Sequence, residues 1–195
     1  SLPADFANYY LAPLIADFSQ LYPNIEFEFD LTPRQVDLIA EPFDVAIRMG
    51  APPDSQLIGR KLVSIRLQLY AAPNYLEQSG WPSEPQDLGR HECLSMPGES
   101  AWQLENGRQS RDVQVHGKFR INSNSMIRHL AVLGLGVVLL PEALVLEELK
   151  DRRLIRILPQ WQGLPKSVYA LTGSRLLPAK TQRFIEFLRD RLADQ

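Results

Sequence analysis

Residues 44–50 are Asp44-Val45-Ala46-Ile47-Arg48-Met49-Gly50, an apolar run that predicts a short buried β-strand ending at a glycine. Residues 25–31 alternate apolar and acidic side chains, which predicts a second strand with one solvent-exposed face. Residues 36–39 suit a short helix, and residues 6–21 carry apolar side chains at the spacing of an amphipathic helix. The order helix, strand, helix, strand indicates an α/β domain whose parallel strands are joined by helical crossovers.

Two residues bear on the first helix. Asp5 stands where an N-cap is expected, because a carboxylate there can accept a hydrogen bond from a free backbone amide. Pro13 lies inside the apolar stripe, although proline lacks the amide hydrogen that a helix interior uses. The sequence therefore predicts that this helix starts after Pro13 or bends there.

The rest of the chain continues the alternation. Asn106-Gly107 is the strongest hairpin signal, with strands predicted at residues 102–104 and 113–115. Four polar residues at 122–125 offer N-caps for a helix that runs to Gly134. Further strands are predicted at residues 62–71, 137–140, 154–158 and 168–171, and further helices at 75–78, 143–149 and from 179 onwards.

The elements group into two αβ blocks, at residues 1–70 and 73–165. Strands near residues 67–72 and 168–171 are placed to cross between the blocks, and the last helix would return to the first block. Two lobes joined by two strands form a hinge with a cleft, which is a common location for a ligand site. The domain prediction is lobe I at 1–70 plus 167–195 and lobe II at 71–166.

Charge and cysteine content restrict the class of protein. The 21 Lys and Arg residues against 23 Asp and Glu give a formal net charge of −2, so the chain has little attraction for nucleic-acid phosphates. One cysteine, Cys93, permits no intramolecular disulfide, which favours a cytoplasmic location. The apolar stretch at residues 130–140 contains two glycines and is too short to span a bilayer, so no membrane association is expected.

Segments along the whole chain resemble the effector-binding domain of LysR-type transcriptional regulators, especially the subfamily called CrgA-like. The segments that carry the resemblance, in family order, lie at residues 10–15, 18, 22–23, 36–39, 43–50, 54–62, 71–76, 133–137, 140–141, 177–180 and 184–188. Among them, Phe43-Asp44-Val45-Ala46-Ile47-Arg48-Met49-Gly50 together with Leu133-Gly134-Leu135-Gly136-Val137 and Leu140-Pro141 is the most specific combination.

The resemblance implies two Rossmann-like lobes joined by two crossover strands, as in type II periplasmic binding proteins, with the ligand between the lobes. It also implies a winged helix-turn-helix upstream, and no such segment is present in this chain. Ser1 falls where a strand should be ending, which predicts that the first strand of the sensor lies upstream as well.

Asn122, Ser123, Asn124 and Ser125 precede a helix, so at least one of them is expected to cap it. Free amides at a helix N-terminus also hold carboxylates or phosphates. The resemblance implies that this loop lines the effector cleft. Helix capping and effector binding are therefore both open roles for these four residues.

The resemblance places a second group of effector contacts before the first helix, at Pro3, Ala4 and Asp5. The Asp5 carboxylate would repel an anion, which leaves room for a neutral or cationic group on that side. Thr32 would face the same cleft together with Pro33, although threonine there is equally typical of a turn.

Arg48 and Met49 end the buried strand and complete the set of candidate effector-binding residues. An arginine at a strand end is more often paired with a nearby acid, here Asp44 or Asp37, than used to bind a ligand. Both acids are interpreted as structural.

The sequence offers no convincing catalytic or metal site. Cys93 with His91 lacks a third residue that would orient the pair, so a nucleophile is not favoured. The histidines do not have the spacing of a metal set, and Gly134-Leu135-Gly136 lacks the third glycine of a dinucleotide loop. We therefore expect no enzyme activity, no cofactor and no metal.

The resulting hypothesis is a ligand-sensing domain that controls transcription through a DNA-binding domain outside this chain. The resemblance implies a homodimer formed through the first helix and the helix of residues 125–133, with a tetramer as a further option at full length. A periplasmic solute-binding protein of a transporter is the alternative, and an enzyme that uses Cys93 is a third possibility.

Overall fold

The structure is a computed structural model that describes residues 1–32, 38, 40–50 and 57–193. The strands are β1 Ala46–Met49, β2 Ile58–Ala71, β3 Ala101–Glu105, β4 Ser110–Gln114, β5 Val138–Pro141, β6 Ile155–Arg156 and β7 Gln162–Thr172. The α-helices are α1 Ala4–Phe6, α2 Ala12–Leu21, α3 Pro73–Ser79, α4 Asn124–Val132, α5 Leu146–Lys150 and α6 Ala179–Ala193. The predicted helix at residues 36–39 lies outside the described residues, apart from Leu38.

The chain divides into two compact units. Unit 1 comprises Ser1–Ile65 and Lys166–Gln195, and unit 2 comprises Arg66–Pro165. β2 and β7 each contain one boundary, so the chain passes from one unit to the other within two strands. The last helix, α6, belongs to unit 1.

The named strands pair in antiparallel fashion. In unit 1, β1 pairs with β7, with Ala46 opposite Leu171. In unit 2, β2 pairs with β5 and β6, and β3 pairs with β4 and with the start of β7. The α/β alternation is confirmed, but the expectation of parallel strands is wrong for these pairs. β1 and β7 lie far apart in sequence, so no single crossover helix fixes their relative direction.

The core of unit 1 is formed by the amphipathic faces of α2 and α6. The Phe18 ring contacts those of Phe184 and Phe187, with centroids 5.2 Å apart in each pair, and Phe27 at 5.8 Å. Edge-to-face contacts of this kind add to the stabilisation that burial provides. The rest of the cluster comprises Leu2, Phe6, Leu11, Leu14, Ile47, Leu62, Ile65, Val168, Ala170, Ile185, Leu188 and Leu192. Both predicted apolar stripes are thus confirmed.

The first helix begins one residue after Pro3, and this corrects the N-cap prediction. Pro3 is the N-cap, with an extended backbone at φ −64° and ψ 137°, and Asp5 lies within the first turn. The Leu2 amide donates to the Asp30 carbonyl oxygen at 3.0 Å, so the extended segment continues up to Pro3 before the helix begins. Asp5 still stabilises the positive end of the helix through its charge.

Pro13 neither delays nor ends the helix. α1 and α2 are joined by a π-helical turn, Ala7–Leu11, which ends two residues before the proline. The Ala12 amide donates to the Ala7 carbonyl oxygen, one residue further back than in an α-helix. This wider turn accommodates the proline ring and the missing amide hydrogen, so the helical run continues to Leu21.

Residues 25–31 do not form the predicted strand. Among the described residues, no other segment hydrogen-bonds to the backbone of residues 26–29. A strand requires such a partner, because its backbone groups cannot pair within the segment. The alternation survives in the side chains: Ile25 and Phe27 pack on the core of unit 1, while Glu26 and Glu28 are exposed.

Unit 2 contains the predicted hairpin. β3 and β4 flank Asn106-Gly107, with Trp102 opposite Val113, and Gly107 has a φ of +81°. Trp102 is fully buried, so the inward face of the hairpin forms part of the core of this unit. The strand predicted at residues 154–158 is shorter, Ile155–Arg156, because Leu158 takes a φ of +46°, which an extended strand does not allow.

Candidate functional site

In unit 1 the candidate residues stand next to a short parallel backbone pairing. The Ser1 nitrogen donates to the Val45 carbonyl oxygen at 3.0 Å, and the Ile47 amide donates to the Ser1 carbonyl oxygen at 2.8 Å. Because the pairing is parallel, Pro3, Ala4 and Asp5 follow it in the same chain direction in which Arg48 and Met49 complete β1. Ala4 is exposed, whereas Pro3 and Asp5 are half-buried.

The start of the first helix presents amides that have no hydrogen-bond partner among the residues that the structure describes. Pro3 makes no side-chain hydrogen bond to the first turn, and the Pro3 carbonyl oxygen accepts from the Ala7 amide at 3.0 Å. The amides of Ala4, Asp5 and Phe6 precede the first helical hydrogen bond, so they point outward along the helix axis. Asp5 brings a negative charge to this position.

Thr32 is used in a local turn. Its backbone amide and its hydroxyl both donate to Oδ1 of Asp30, at 2.9 and 2.6 Å. Thr32 is exposed, so its hydroxyl oxygen can still accept a hydrogen bond from a ligand. Pro33, predicted beside it, lies outside the described residues.

The Arg48 guanidinium is held by Ser1 and by its own strand. Nη1 donates to the carbonyl oxygens of Ser1 and Ile47, at 3.2 and 2.7 Å, and Nη2 donates to the Ser1 hydroxyl at 3.0 Å. Met49 is half-buried and packs on the core of unit 1.

The acids expected near Arg48 are placed as follows. Asp44 forms an exposed ion pair with Lys180, with 3.2 Å between Oδ2 and Nζ. Asp37 lies outside the described residues. Asp44 thus pairs with Lys180, and its structural role at the start of the strand stays a prediction.

In unit 2, Asn122, Ser123, Asn124 and Ser125 lead into α4. Ser123 is the N-cap, and its hydroxyl accepts from the Met126 amide at 3.3 Å. The expectation that one of the four residues caps the helix is therefore confirmed. The amides of Asn124 and Ser125 have no hydrogen-bond partner within the part of the chain that the structure describes. Asn122 is exposed, while Asn124 and Ser125 are half-buried.

His91 and Cys93 do not form a nucleophile pair. The His91 Nδ1 lies 3.1 Å from the Tyr75 hydroxyl, which also accepts from the Glu92 amide at 2.9 Å. The buried Cys93 thiol points to the Leu88 carbonyl oxygen at 3.6 Å. Burial raises the pKa of Cys93 to about 12, so the nucleophilic thiolate is strongly disfavoured at neutral pH.

A cavity of about 630 Å³ in unit 1 is lined by none of the candidate residues. Its walls include Leu2, Ile25, Phe27, Phe43 and Val45. It lies beside residues 26–29, whose backbone has no hydrogen-bond partner among the described residues, and we interpret it as the space next to this strand-like run. We therefore regard the helix starts as better candidates for the effector-binding site, because backbone amides and polar side chains lie together there. The alternating pattern at residues 25–31 predicted a strand in this region, but it did not predict a cavity beside it.

Neither a metal cluster nor a membrane span emerges from the described residues. Within residues 1–32, 38, 40–50 and 57–193, no three His, Cys, Asp or Glu side chains are grouped to hold a metal ion. Over the same ranges, none of the helices combines the length and apolarity that crossing a membrane requires.

Comparison with known proteins first defines the class of fold. The solved regulatory domain of CrgA, a LysR-type transcriptional regulator from Neisseria meningitidis, superposes with a TM-score of 0.82 at 26% identity, covering 98% of this chain and 96% of CrgA's domain. The protein is therefore an α/β domain with the type II periplasmic-binding-protein-like fold, as predicted.

The sequence comparisons then define the family. A model of the LysR substrate binding domain matches residues 1–193, and the chain belongs to this family. PtxR, an HTH-type transcriptional regulator of Pseudomonas aeruginosa, is 34% identical over 198 residues. An HTH-type transcriptional regulator of Xanthomonas campestris pv. campestris is 30% identical over 200 residues. The alignments cover 97% and 98% of this chain, but only 62% and 58% of the two regulators.

These findings confirm the resemblance to LysR-type effector-binding domains. Family members are the effector-binding domains of LysR-type transcriptional regulators. The named relatives are transcriptional regulators and not transporter binding proteins, so they give no support to the alternative of a periplasmic solute-binding protein.

Proposed function

We propose that this domain binds a small-molecule effector at helix starts and thereby controls the DNA binding of a longer LysR-type regulator. The observation that carries the proposal is the start of α4, where the amides of Asn124 and Ser125 are unpaired. Two convergent amides at a positive helix end favour a carboxylate or another anionic group. The side chains of Asn122 and Ser125 supply further hydrogen-bond donors at the same position.

We propose a second set of effector contacts in unit 1, at Pro3, Ala4, Asp5, Thr32, Arg48 and Met49. Its free amides attract polar groups, but the Asp5 carboxylate opposes an anion there. This set therefore suits a neutral or cationic part of an effector. The hydrogen bonds of Arg48 to Ser1 favour a positioning role for its guanidinium over direct contact with a ligand.

The domain acts by binding and not by catalysis in this proposal. The Cys93 thiol is buried and held as a neutral thiol, and the His91 ring is engaged by Tyr75. An effector changes DNA binding only to the extent that it prefers one conformation of the regulator over another.

The longer protein is proposed to be a dimer or a tetramer that contacts DNA through an N-terminal domain. The dimer would use the first helix and α4. Met126 and Leu133, on and directly after α4, are 49% and 68% exposed, so they are available for such a contact. Burying exposed apolar side chains of this size would favour association.

The α4 site is tested with a pair of variants at its first helical residue. Asn124→Pro and Asn124→Ala both remove the amide side chain, but only proline removes the backbone N–H. Proline is tolerated at this position, and Ser123 already has the extended backbone that precedes a proline, at φ −133° and ψ 114°. Both variants should therefore fold.

The probes are benzoate, succinate and acetate, each titrated to 10 mM in thermal-shift measurements against sodium chloride of equal ionic strength. A probe at 100 times its Kd adds about 2.7 kcal/mol, or roughly 5–10 °C for a chain of this size. We expect a saturable rise in melting temperature with at least one probe. The Kd derived from it should increase at least about tenfold in Asn124→Pro, whereas Asn124→Ala should retain most of the affinity. Equal responses of the two variants, or no shift beyond that of chloride, would contradict the site.

A further inference from the structure

A second, smaller cavity in unit 1 is lined by three arginines from separate parts of the chain. It has a volume of about 200 Å³. Arg60 comes from β2, Arg175 from the loop after β7, and Arg189 from α6. None of the candidate effector-binding residues lines it, so it is independent of the proposed function.

The Arg60 side chain is fixed in place by hydrogen bonds. Its Nη1 donates to the Thr172 hydroxyl at 2.8 Å, and its Nη2 donates to the Arg175 carbonyl oxygen at 3.3 Å. Thr172 is buried, and its hydroxyl in turn donates to the Ser174 carbonyl oxygen at 2.9 Å. The guanidinium is therefore oriented before any ligand arrives, which reduces the entropy lost on binding.

The positive charge of this cavity is poorly compensated. Among the described residues, Arg60 and Arg175 form no ion pair with a carboxylate, and Arg189 contacts only its exposed neighbour Asp190, at 3.4 Å. One carboxylate, Glu186, is part of the lining. Its two oxygens already accept from the Gln182 side chain at 2.9 Å and from Arg183 at 3.3 Å.

We propose that this cavity is a binding site for a phosphate-sized oxyanion. Guanidinium groups donate paired hydrogen bonds that match the oxygens of phosphate, and such charge-assisted bonds are stronger than neutral ones. A volume of about 200 Å³ accommodates a phosphate with a few waters, since a water takes up about 30 Å³ in the liquid. Leu177 and Ile185 close part of the wall with apolar surface.

The test uses inorganic phosphate as the probe, with ³¹P NMR line broadening and isothermal titration at constant ionic strength. The variants are Arg60→Gln and Arg175→Gln, and the matched control is Arg108→Gln, an exposed arginine next to the hairpin turn. Arg175→Gln guards against misfolding, because its side chain makes no hydrogen bond that the fold needs within the described residues. Melting temperatures in chloride verify that each variant is folded.

We expect saturable phosphate binding that each of the two cavity variants weakens at least about tenfold and that Arg108→Gln leaves unchanged. Line broadening that does not saturate with phosphate concentration would overturn the proposal. Heats of titration equal to those of sodium chloride would do the same. So would a folded Arg175→Gln variant that binds phosphate as tightly as the wild type. Because the effector test at Asn124 uses other residues and organic carboxylates, either proposal can fail without the other.

Discussion

The Arg48 guanidinium donates to both the carbonyl oxygen and the hydroxyl of Ser1, at 3.2 and 3.0 Å, and so joins the first residue of the chain to the end of β1. Together with the bond to the Ile47 carbonyl oxygen at 2.7 Å, this places three donors of one half-buried side chain in fixed contacts. The stability of this part of unit 1 should therefore depend on Arg48.

Replacing Arg48 by methionine keeps the apolar stem and removes the donors. Because the Ser1 and Ile47 oxygens then lose charge-assisted hydrogen bonds, the free energy of unfolding should fall by about 1–3 kcal/mol. Urea denaturation measures the change. Arg108→Met, at an exposed position, should change it by less than about 0.5 kcal/mol. An Arg48 variant as stable as that control would show that these contacts contribute nothing.

Cys93 should be unreactive in the folded protein. Its thiol is fully buried, and burial raises its pKa to about 12. Since only the thiolate attacks, modification by a disulfide reagent at pH 8 should be at least about a hundredfold slower in the folded chain than in urea. Absorbance of the released thiol reports the rate. Rapid modification of the folded protein would argue for an accessible thiolate and revive the possibility of a catalytic cysteine.

Stability should decline as the pH falls below about 6.5, because of His91. Burial lowers the pKa of His91 from its ordinary value of 6.5, while Asp87 opposes part of this shift. Between the lowered folded value and 6.5, the unfolded chain binds a proton at this residue and the folded chain does not. Acid therefore favours unfolding over that window, and the effect is complete below the folded pKa.

The test compares the free energy of unfolding of wild type and His91→Phe at pH 7.5 and pH 5.5. The loss between these two values should be smaller in the variant. Above pH 5 the titration of Asp87 does not contribute to the pH dependence of stability. Hydrogen bonds from the Ser83 and Glu84 amides lower the pKa of that carboxyl below 3.8, so it stays ionised throughout. An unchanged loss in His91→Phe would assign the acid sensitivity to other groups.

Self-association should depend on the exposed end of α4. Leu133 is 68% exposed, and placing a carboxylate there with Leu133→Glu should shift sedimentation equilibrium towards the monomer by at least about tenfold in Kd. Leu176, in the loop before α6, is 91% exposed and provides the matched control, Leu176→Glu. If both variants associate as the wild type does, or if both dissociate, α4 is not the dimer contact.

Local patterns accounted for much of the fold. The hairpin at Asn106-Gly107 depends on turn chemistry between neighbouring residues, and the stripe of α6 depends on spacing within one helix, so both were predictable from the sequence. The cap at Ser123 is likewise local.

Features that depend on distant partners were not predictable. Residues 25–31 have the right alternation, but a strand also needs a neighbour, and no residue pattern within the segment supplies one. Arg48 donates to Ser1, 47 positions away, and the expectation, which considered only nearby acids, did not include this contact. The oxyanion cavity combines residues from β2, a loop and α6, whose proximity arises only from packing.

In the proposed function helix starts hold the effector, and hydrogen–deuterium exchange reports on their amides individually. When the carboxylate that gives the largest thermal shift is bound, amides at residues 124–126 should exchange more slowly. If unit 1 also contacts the effector, amides at residues 4–6 should exchange more slowly as well. The surface of β3 and β4 serves as the internal reference and should be unchanged. Protection that is absent from residues 124–126 and confined to other segments would show that the effector does not bind at the start of α4.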